Sequence, residues 1–216
     1  MNDKLDIALD RLKAILPLKE RQEKCNEQIK ALHQQILFSF VNNGRILTMK
    51  EMAPYVSNLN EALAVLKAND MVVFSEHGDP VGAYPFTMEE REHKVHVNGF
   101  QVYAMCALDA LAVSPMFGMD TQITSRCRVT GDPVHLHQSG KTIENLDEVG
   151  DVHFGIIWGA SDSGSSCAVS LCTEMIFLRD SKIARQWCMD DPENREVFAL
   201  KEALEFASRF FVPLMS

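Results

Sequence analysis

The sequence predicts an α+β fold: a winged-helix-like helical unit over residues 1–90, then a mixed domain of antiparallel strands and helices over residues 91–216. Hydrophobic spacing, turn signals and a charged connector carry that reading. Leucines recur at helical intervals as far as Leu66, whereas beyond it apolar runs pair up around turn signals such as Asn98-Gly99 and Thr130-Gly131-Asp132-Pro133. Residues 88–94 (MEEREHK) separate the two regimes. With 216 residues, 46% hydrophobic and 24% charged, the chain can bury a core of one or two domains.

Leu5, Leu9, Leu12 and Leu16 lie on one face of a helix over 3–16, which Pro17 ends. A second helical pattern runs from Glu20 to Phe40 and stops at Asn42-Asn43-Gly44. Thr48 and Glu51 have the spacing of a capping box that opens a short helix ending near Val56. Asn58 caps the next, with Leu59, Leu63 and Leu66 on one face. Strands Met71–Ser75 and Val81–Phe86 then flank the turn His77-Gly78-Asp79-Pro80, completing the element order of a winged helix.

In the second region His93–Val97 and Phe100–Tyr103 form a hairpin about Asn98-Gly99. Tyr103–Val113 is apolar and alanine-rich and reads as a helix ending near Pro115–Gly118. Thr121–Val129 and Val134–His137 form another hairpin. Val152–Trp158 is a buried-type strand, 159–166 (GASDSGSS) a flexible loop, and Val169–Leu178 further apolar structure. Helical patterns over Arg179–Cys188 and Asn194–Phe211 close the chain.

Acidic residues outnumber basic ones, 30 to 21, for a net charge of −9. Residues 1–95 carry 12 basic and 14 acidic side chains, and the helix that would read DNA offers Glu61, Lys67 and Asp70. Neither suits a phosphate backbone, so no nucleic-acid partner is expected. No stretch approaches the ~18 apolar residues of a membrane span, and the amphipathic N-terminus is unlike a signal peptide. A cytoplasmic location is therefore expected, with the six cysteines as thiols.

Cys106 and Asp109 stand three apart in YAMCALDAL, on one face of the expected helix. A carboxyl surrounded by Ala and Leu has its pKa raised, and beside a thiol it can accept and return a proton. The alternative is a small buried Cys with Asp tying down a backbone amide. Cys167 and Cys172 follow the Gly/Ser loop at a spacing unlike zinc pairs, and His135 and His137 share a strand face without adjacent cysteines. Cys127 reads as a core thiol beside a turn, and Cys25 and Cys188 as incidental. Met105, Met116 and Met119 read as packing residues, although a sulfur-rich lining also suits a soft metal.

Taken together, YAMCALDAL, SRCRVTGDPVHL and SLCTEMIF resemble the alkylmercury lyases (organomercurial lyases). That family carries Y-A-W-C-A-x-D-x-L, then S-x-C-x-x-T-G-x-P-V, then a third cysteine before an apolar strand and a downstream tryptophan. Here Cys127 follows Cys106 by 21 positions and Trp187 follows Cys172 by 15, as in the family. The resemblance covers roughly residues 95–190, and the N-terminal part is also of the family type. It implies Cys106 and Cys172 as mercury-binding thiols, Asp109 as the acid/base and mercury ligand-set member, and Cys127 as structural, and it gives Cys167 no role. Met105 replaces the family's tryptophan, which implies a differently shaped pocket.

The implied activity is protonolysis of a carbon–mercury bond, giving a hydrocarbon and Hg(II). No cofactor is implied: mercury is substrate and product, and external thiols or a mercuric reductase take it away. The partner would be a small organomercurial. Two other readings stay open, a non-catalytic thiol-based soft-metal binder of the same fold and a metal-responsive winged-helix regulator.

Overall fold

The structure, a computed structural model, describes residues 3–160 and 166–216, so residues 161–165 of the predicted Gly/Ser loop lie outside the described residues. Helix α1 (Asp3–Ile15) buries the predicted stripe, Leu5, Leu9 and Leu12, with Leu16 following it. A fully buried leucine contributes about 1.5–3 kcal/mol. The helix expected over 20–40 is two: α2 (Leu18–Lys24) and α3 (Glu27–Asn43). Asn26 breaks them, its extended backbone letting the side chain accept from Ile29 N at 2.9 Å. The Thr48–Glu51 capping box opens α4 (Met49–Met52), and Asn58 caps α5 (Leu59–Ala68).

Strands β1 (Val73–Phe74), β2 (Pro80–Ala83) and β3 (Phe86–Thr87) follow, with a cis Tyr84-Pro85 bond between the last two. The predicted strand Val81–Phe86 is thus two, divided at that proline. Strands β4 (His93–Val97) and β5 (Phe100–Ala104) make the Asn98-Gly99 hairpin, both turn residues at positive φ. Then come helix α6 (Ala107–Phe117) and strands β6 (Thr121–Arg126), β7 (Pro133–Ser139) and β8 (Thr142–Ile143). The eight strands form one antiparallel sheet in the order β1-β2-β3-β5-β4-β6-β7-β8. Because Phe86 pairs with Ala104 and Thr87 with Tyr103, this sheet runs unbroken past residue 90, and one core extends from Leu5 to Leu214.

A short helix α7 (Leu146–Val149) leads to a second sheet, with β9 (His153–Ile157) between β10 (Met175–Leu178) and β11 (Arg195–Ala199). Helix α8 (Ser181–Met189), capped by Asp180, covers one face, and α9 (Leu200–Phe211) packs on α6. The helix expected over 194–211 therefore begins with a strand. Arg195 and Glu196 hide its alternation, and pairing with β9, Phe198 opposite Phe154, fixes it as a strand. The observed class is α+β with antiparallel sheets.

Helix α6 occupies the centre. It is apolar on all sides, and Ala107–Ser114 are all buried. Pro115 lies inside it rather than ending it. Its missing N–H leaves the Leu111 carbonyl without its helical donor, and Gln138 Nε2 donates there instead at 2.9 Å. The helix stops at Gly118, φ 64°.

Candidate active site

The site forms where β5 gives way to α6. The hairpin register commits Phe100–Ala104 to the sheet, so the helix expected from Tyr103 begins only at Ala107. Cys106 has extended backbone (φ −152°, ψ 178°) and is the N-cap, with Sγ accepting from Asp109 N at 3.4 Å. Thiol and carboxyl therefore meet through a cap rather than along one helix face, which corrects the sequence geometry while keeping the pair together.

Cys172 arrives from the opposite side, on a 3-10 turn (Leu171–Glu174) that leads into β10. One ligand atom each from Cys106, Asp109 and Cys172 lies within 4.8 Å of the others, and all three residues are buried. Among the described residues no other three His, Cys, Asp or Glu side chains cluster in this way. The Cys167 and Cys172 sulfurs are 3.5 Å apart, and Cys106 Sγ donates to Met175 Sδ at 3.5 Å.

Segment 166–168 is pinned by the N-terminal part of the chain. Asp70 Oδ1 accepts from Ser166 Oγ at 2.6 Å, and Oδ2 accepts from Cys167 N at 3.0 Å. Tyr84 Oη donates to Asp70 Oδ2 at 3.0 Å and accepts from Ala168 N at 2.9 Å. Sequence reasoning missed Asp70, Tyr84, Ser166 and Met175. The Tyr84-Pro85 dipeptide marks a turn, but nothing local in the sequence ties Asp70 to a segment almost a hundred residues away.

The walls are apolar. Leu12 and Leu16, Leu108, and Phe210 and Phe211 surround the sulfurs and Asp109, enclosing about 10 Å³. That is about one water's space, so a substrate enters by displacing side chains. Neither Asp109 oxygen has a hydrogen-bond partner. Burial lifts its carboxyl from 3.8 to about 7, with the adjacent Cys106 pulling back. Burial pushes the Cys106 thiol up to about 12, and the Cys106 and Cys167 thiols, together with burial, hold Cys172 well above the ordinary range. Near neutral pH the pocket thus keeps the Cys106 and Cys172 thiols protonated and the Asp109 carboxyl poised to exchange a proton.

The remaining candidates lie elsewhere. Cys127 is buried outside the cluster, its N–H donating to Asp132 O at 2.8 Å. Cys25 and Cys188 donate to the Arg21 and Arg195 carbonyls. His135 and His137 are exposed on β7. Met105 is buried with its methyl over Gly82, where an added Cβ would come within 2.8 Å of it, and Met116 and Met119 pack in the core. Trp187 covers the second sheet beside Gly155 in a separate cluster.

Comparison with known proteins agrees with this picture. A solved structure of the mercury-bound form of MerB2 superposes with a TM-score of 0.73 over 92% of this chain and 98% of that one, at 21% identity. An alkylmercury lyase of Bacillus cereus is 28% identical over 180 residues, 83% of this chain and 80% of its own. One from Staphylococcus epidermidis is 29% identical over 147 residues, 68% of this chain and 66% of its own. The alkylmercury lyase family model matches residues 86–212, more than half of the chain and the stretch that holds Cys106, Asp109 and Cys172. With sequence match and fold in agreement, this chain belongs to the alkylmercury lyase family, enzymes that cleave carbon–mercury bonds.

Proposed function

We propose that Cys106, Asp109 and Cys172 perform the cleavage, the two sulfurs binding mercury and the carboxyl delivering a proton to carbon. The observation that carries this reading is the buried convergence of two thiols with a carboxyl that has no hydrogen-bond partner. Thiolates are soft ligands that match a soft metal, and metal binding displaces their protons.

The bonds balance as follows. Cys106 loses its proton to solvent as its sulfur bonds the incoming organomercury cation. Cys172 then bonds mercury, and its proton passes to the Asp109 carboxylate. Two sulfurs donate electron density to mercury, so the carbon–mercury bond becomes basic at carbon. The Asp109 O–H bond breaks, a C–H bond forms, and the electron pair of the carbon–mercury bond becomes that C–H pair. The hydrocarbon leaves with Hg(II) on the Cys106 and Cys172 sulfurs, and external thiols, or a mercuric reductase as acceptor, remove the ion. The step calls on no organic cofactor.

Leu12 and Leu16 of the N-terminal segment serve here as walls, and Asp70 and Tyr84 hold the segment before Cys172. We propose this supporting role for residues 1–90, with a small organomercurial as substrate and the cytoplasm as the place of action.

Purified, fully reduced protein mixed with phenylmercury and excess thiol is expected to release benzene, and Cys106→Ser to release none. A wild-type protein that binds phenylmercury stoichiometrically yet yields no benzene defeats the proposed mechanism and leaves a soft-metal binder.

A further inference from the structure

Cys167 has no part in the cleavage just described, yet it occupies the same pocket. Its sulfur is 3.5 Å from that of Cys172, it is only 5% exposed, and it lines the cavity with Cys106, Asp109 and Cys172. Chance does not hold it there. Its backbone N–H donates to Asp70 Oδ2, while the flanking Ser166 hydroxyl and Ala168 N–H are held by Asp70 and Tyr84. Three adjacent residues are thus anchored by Asp70 and Tyr84, more than 80 residues away in sequence, fixing where this thiol sits.

We infer that Cys167 is a third thiolate ligand of the Hg(II) product, completing a three-sulfur site with Cys106 and Cys172 that holds the ion until an outside thiol takes it. The inference rests on the reading of this pocket as a mercury site.

The Cys167–Cys172 spacing is too short for these two sulfurs to hold an ion as a linear pair. A metal ion about 2.3 Å from each of two thiolates whose sulfurs are 3.5 Å apart subtends roughly 100° at the ion. That angle belongs to a three- or four-coordinate centre, so an ion bridging Cys167 and Cys172 has a vacant direction. Cys167 stands outside the 4.8 Å group of Cys106, Asp109 and Cys172 but lines the same cavity, so Cys106 becomes the third sulfur by closing on the ion. After protonolysis Asp109 is a carboxylate. When Cys167 joins, its S–H bond breaks, an S–Hg bond forms and the proton goes to Asp109, so the net charge of the pocket does not change. No oxidant or reductant is consumed.

The test uses inorganic Hg(II), one equivalent on the full-length reduced protein freed of small thiols, with the sulfur coordination number read by mercury-edge X-ray absorption. Wild type is expected to show three sulfurs and Cys167→Ser two. Exchange of the bound ion into added cysteine is expected to be about tenfold faster for Cys167→Ser, the equivalent of ~1.4 kcal/mol in holding the ion. Two sulfurs in wild type overturn the inference, and that sample does not depend on how well any variant folds. Cys167→Ala, checked by circular dichroism, is expected to match Cys167→Ser; three sulfurs in a folded Cys167→Ala protein likewise overturn it.

Because this loading requires no carbon–mercury cleavage, the two readings fail separately. A three-sulfur centre without benzene release from phenylmercury sinks the cleavage mechanism alone, and benzene release with a two-sulfur centre sinks the third ligand alone.

Discussion

Replacing Asp109 by Asn removes both the proposed proton donor and a buried ionisable group, and the second loss has a calculable signature. Asp109 is 1% exposed, and its carboxyl is lifted from 3.8 to about 7. Between those values the unfolded chain has lost the proton and the folded chain keeps it, so stability falls as pH rises. For these two pKa values the loss from pH 5 to pH 8 is about 2.5 kcal/mol. An Asn at this site titrates nowhere, so Asp109→Asn lacks that slope whatever constant offset its amide brings. Buried His33 and His93 titrate in both proteins and cancel in the difference. Urea unfolding of metal-free, reduced protein at pH 5, 6, 7 and 8 gives the wild-type-minus-variant curve, which is expected to fall by about 2.5 kcal/mol across the range. The same variant is expected to keep Hg(II) binding through its thiols and to release no benzene from phenylmercury. A pH-independent difference refutes the raised carboxyl, and benzene release at the wild-type rate refutes its role as donor.

Burial holds His33 near 4 and His93 near 3, below the ordinary 6.5. The unfolded chain then takes up protons below pH 6.5 that the folded chain refuses. In the Asp109→Asn background stability is expected to fall by up to about 2.7 kcal/mol per pH unit on acidification from there, and His93→Gln to halve that slope in the same urea series. Cys127→Ala, in the core but outside the cluster, is expected to lower stability by about 1–2 kcal/mol by calorimetry and to leave benzene release intact. Asp70→Ala releases both carboxylate contacts to 166–167. Its benzene release is expected to slow about 10- to 100-fold, with kcat falling more than the melting temperature accounts for. An unchanged kcat shows that the segment holds itself in place.

Much of this molecule was legible because its signals are local. The Thr48–Glu51 box, the Asn58 cap, the Asn98-Gly99 hairpin and the leucine stripe of α1 each follow from a few neighbouring residues, and each is found. What failed was decided by distant partners. Tyr103 and Ala104 suit a helix by composition, but two neighbouring strands claim them. Arg195–Ala199 looks like the start of a helix until β9 offers it a ladder. The site was half legible for the same reason. Cys106 and Asp109 advertise themselves by proximity, whereas Asp70 reaches Ser166 and Cys167 only through the fold.

That long-range support bears on the chemistry. The family match starts at residue 86, yet Leu12 and Leu16 of α1 wall the pocket, and Asp70 and Tyr84 hold the segment that carries Cys167. In the proposed mechanism each sulfur that bonds mercury gives up a proton, and the outcome depends on where the second one goes. Tyr84 Oη already donates to Asp70, and the leucine and phenylalanine walls accept nothing. Asp109, whose oxygens have no other partner, is left as the acceptor. Carbon on the same mercury ion is then the next base within reach, and a pocket with room for about one water limits loss of the proton to solvent. Opening the α1 wall with Leu12→Ser therefore admits a competing acceptor without touching a thiol or the carboxyl. It is expected to lower benzene release while Hg(II) affinity holds, and equal losses in both place the role of α1 in folding instead.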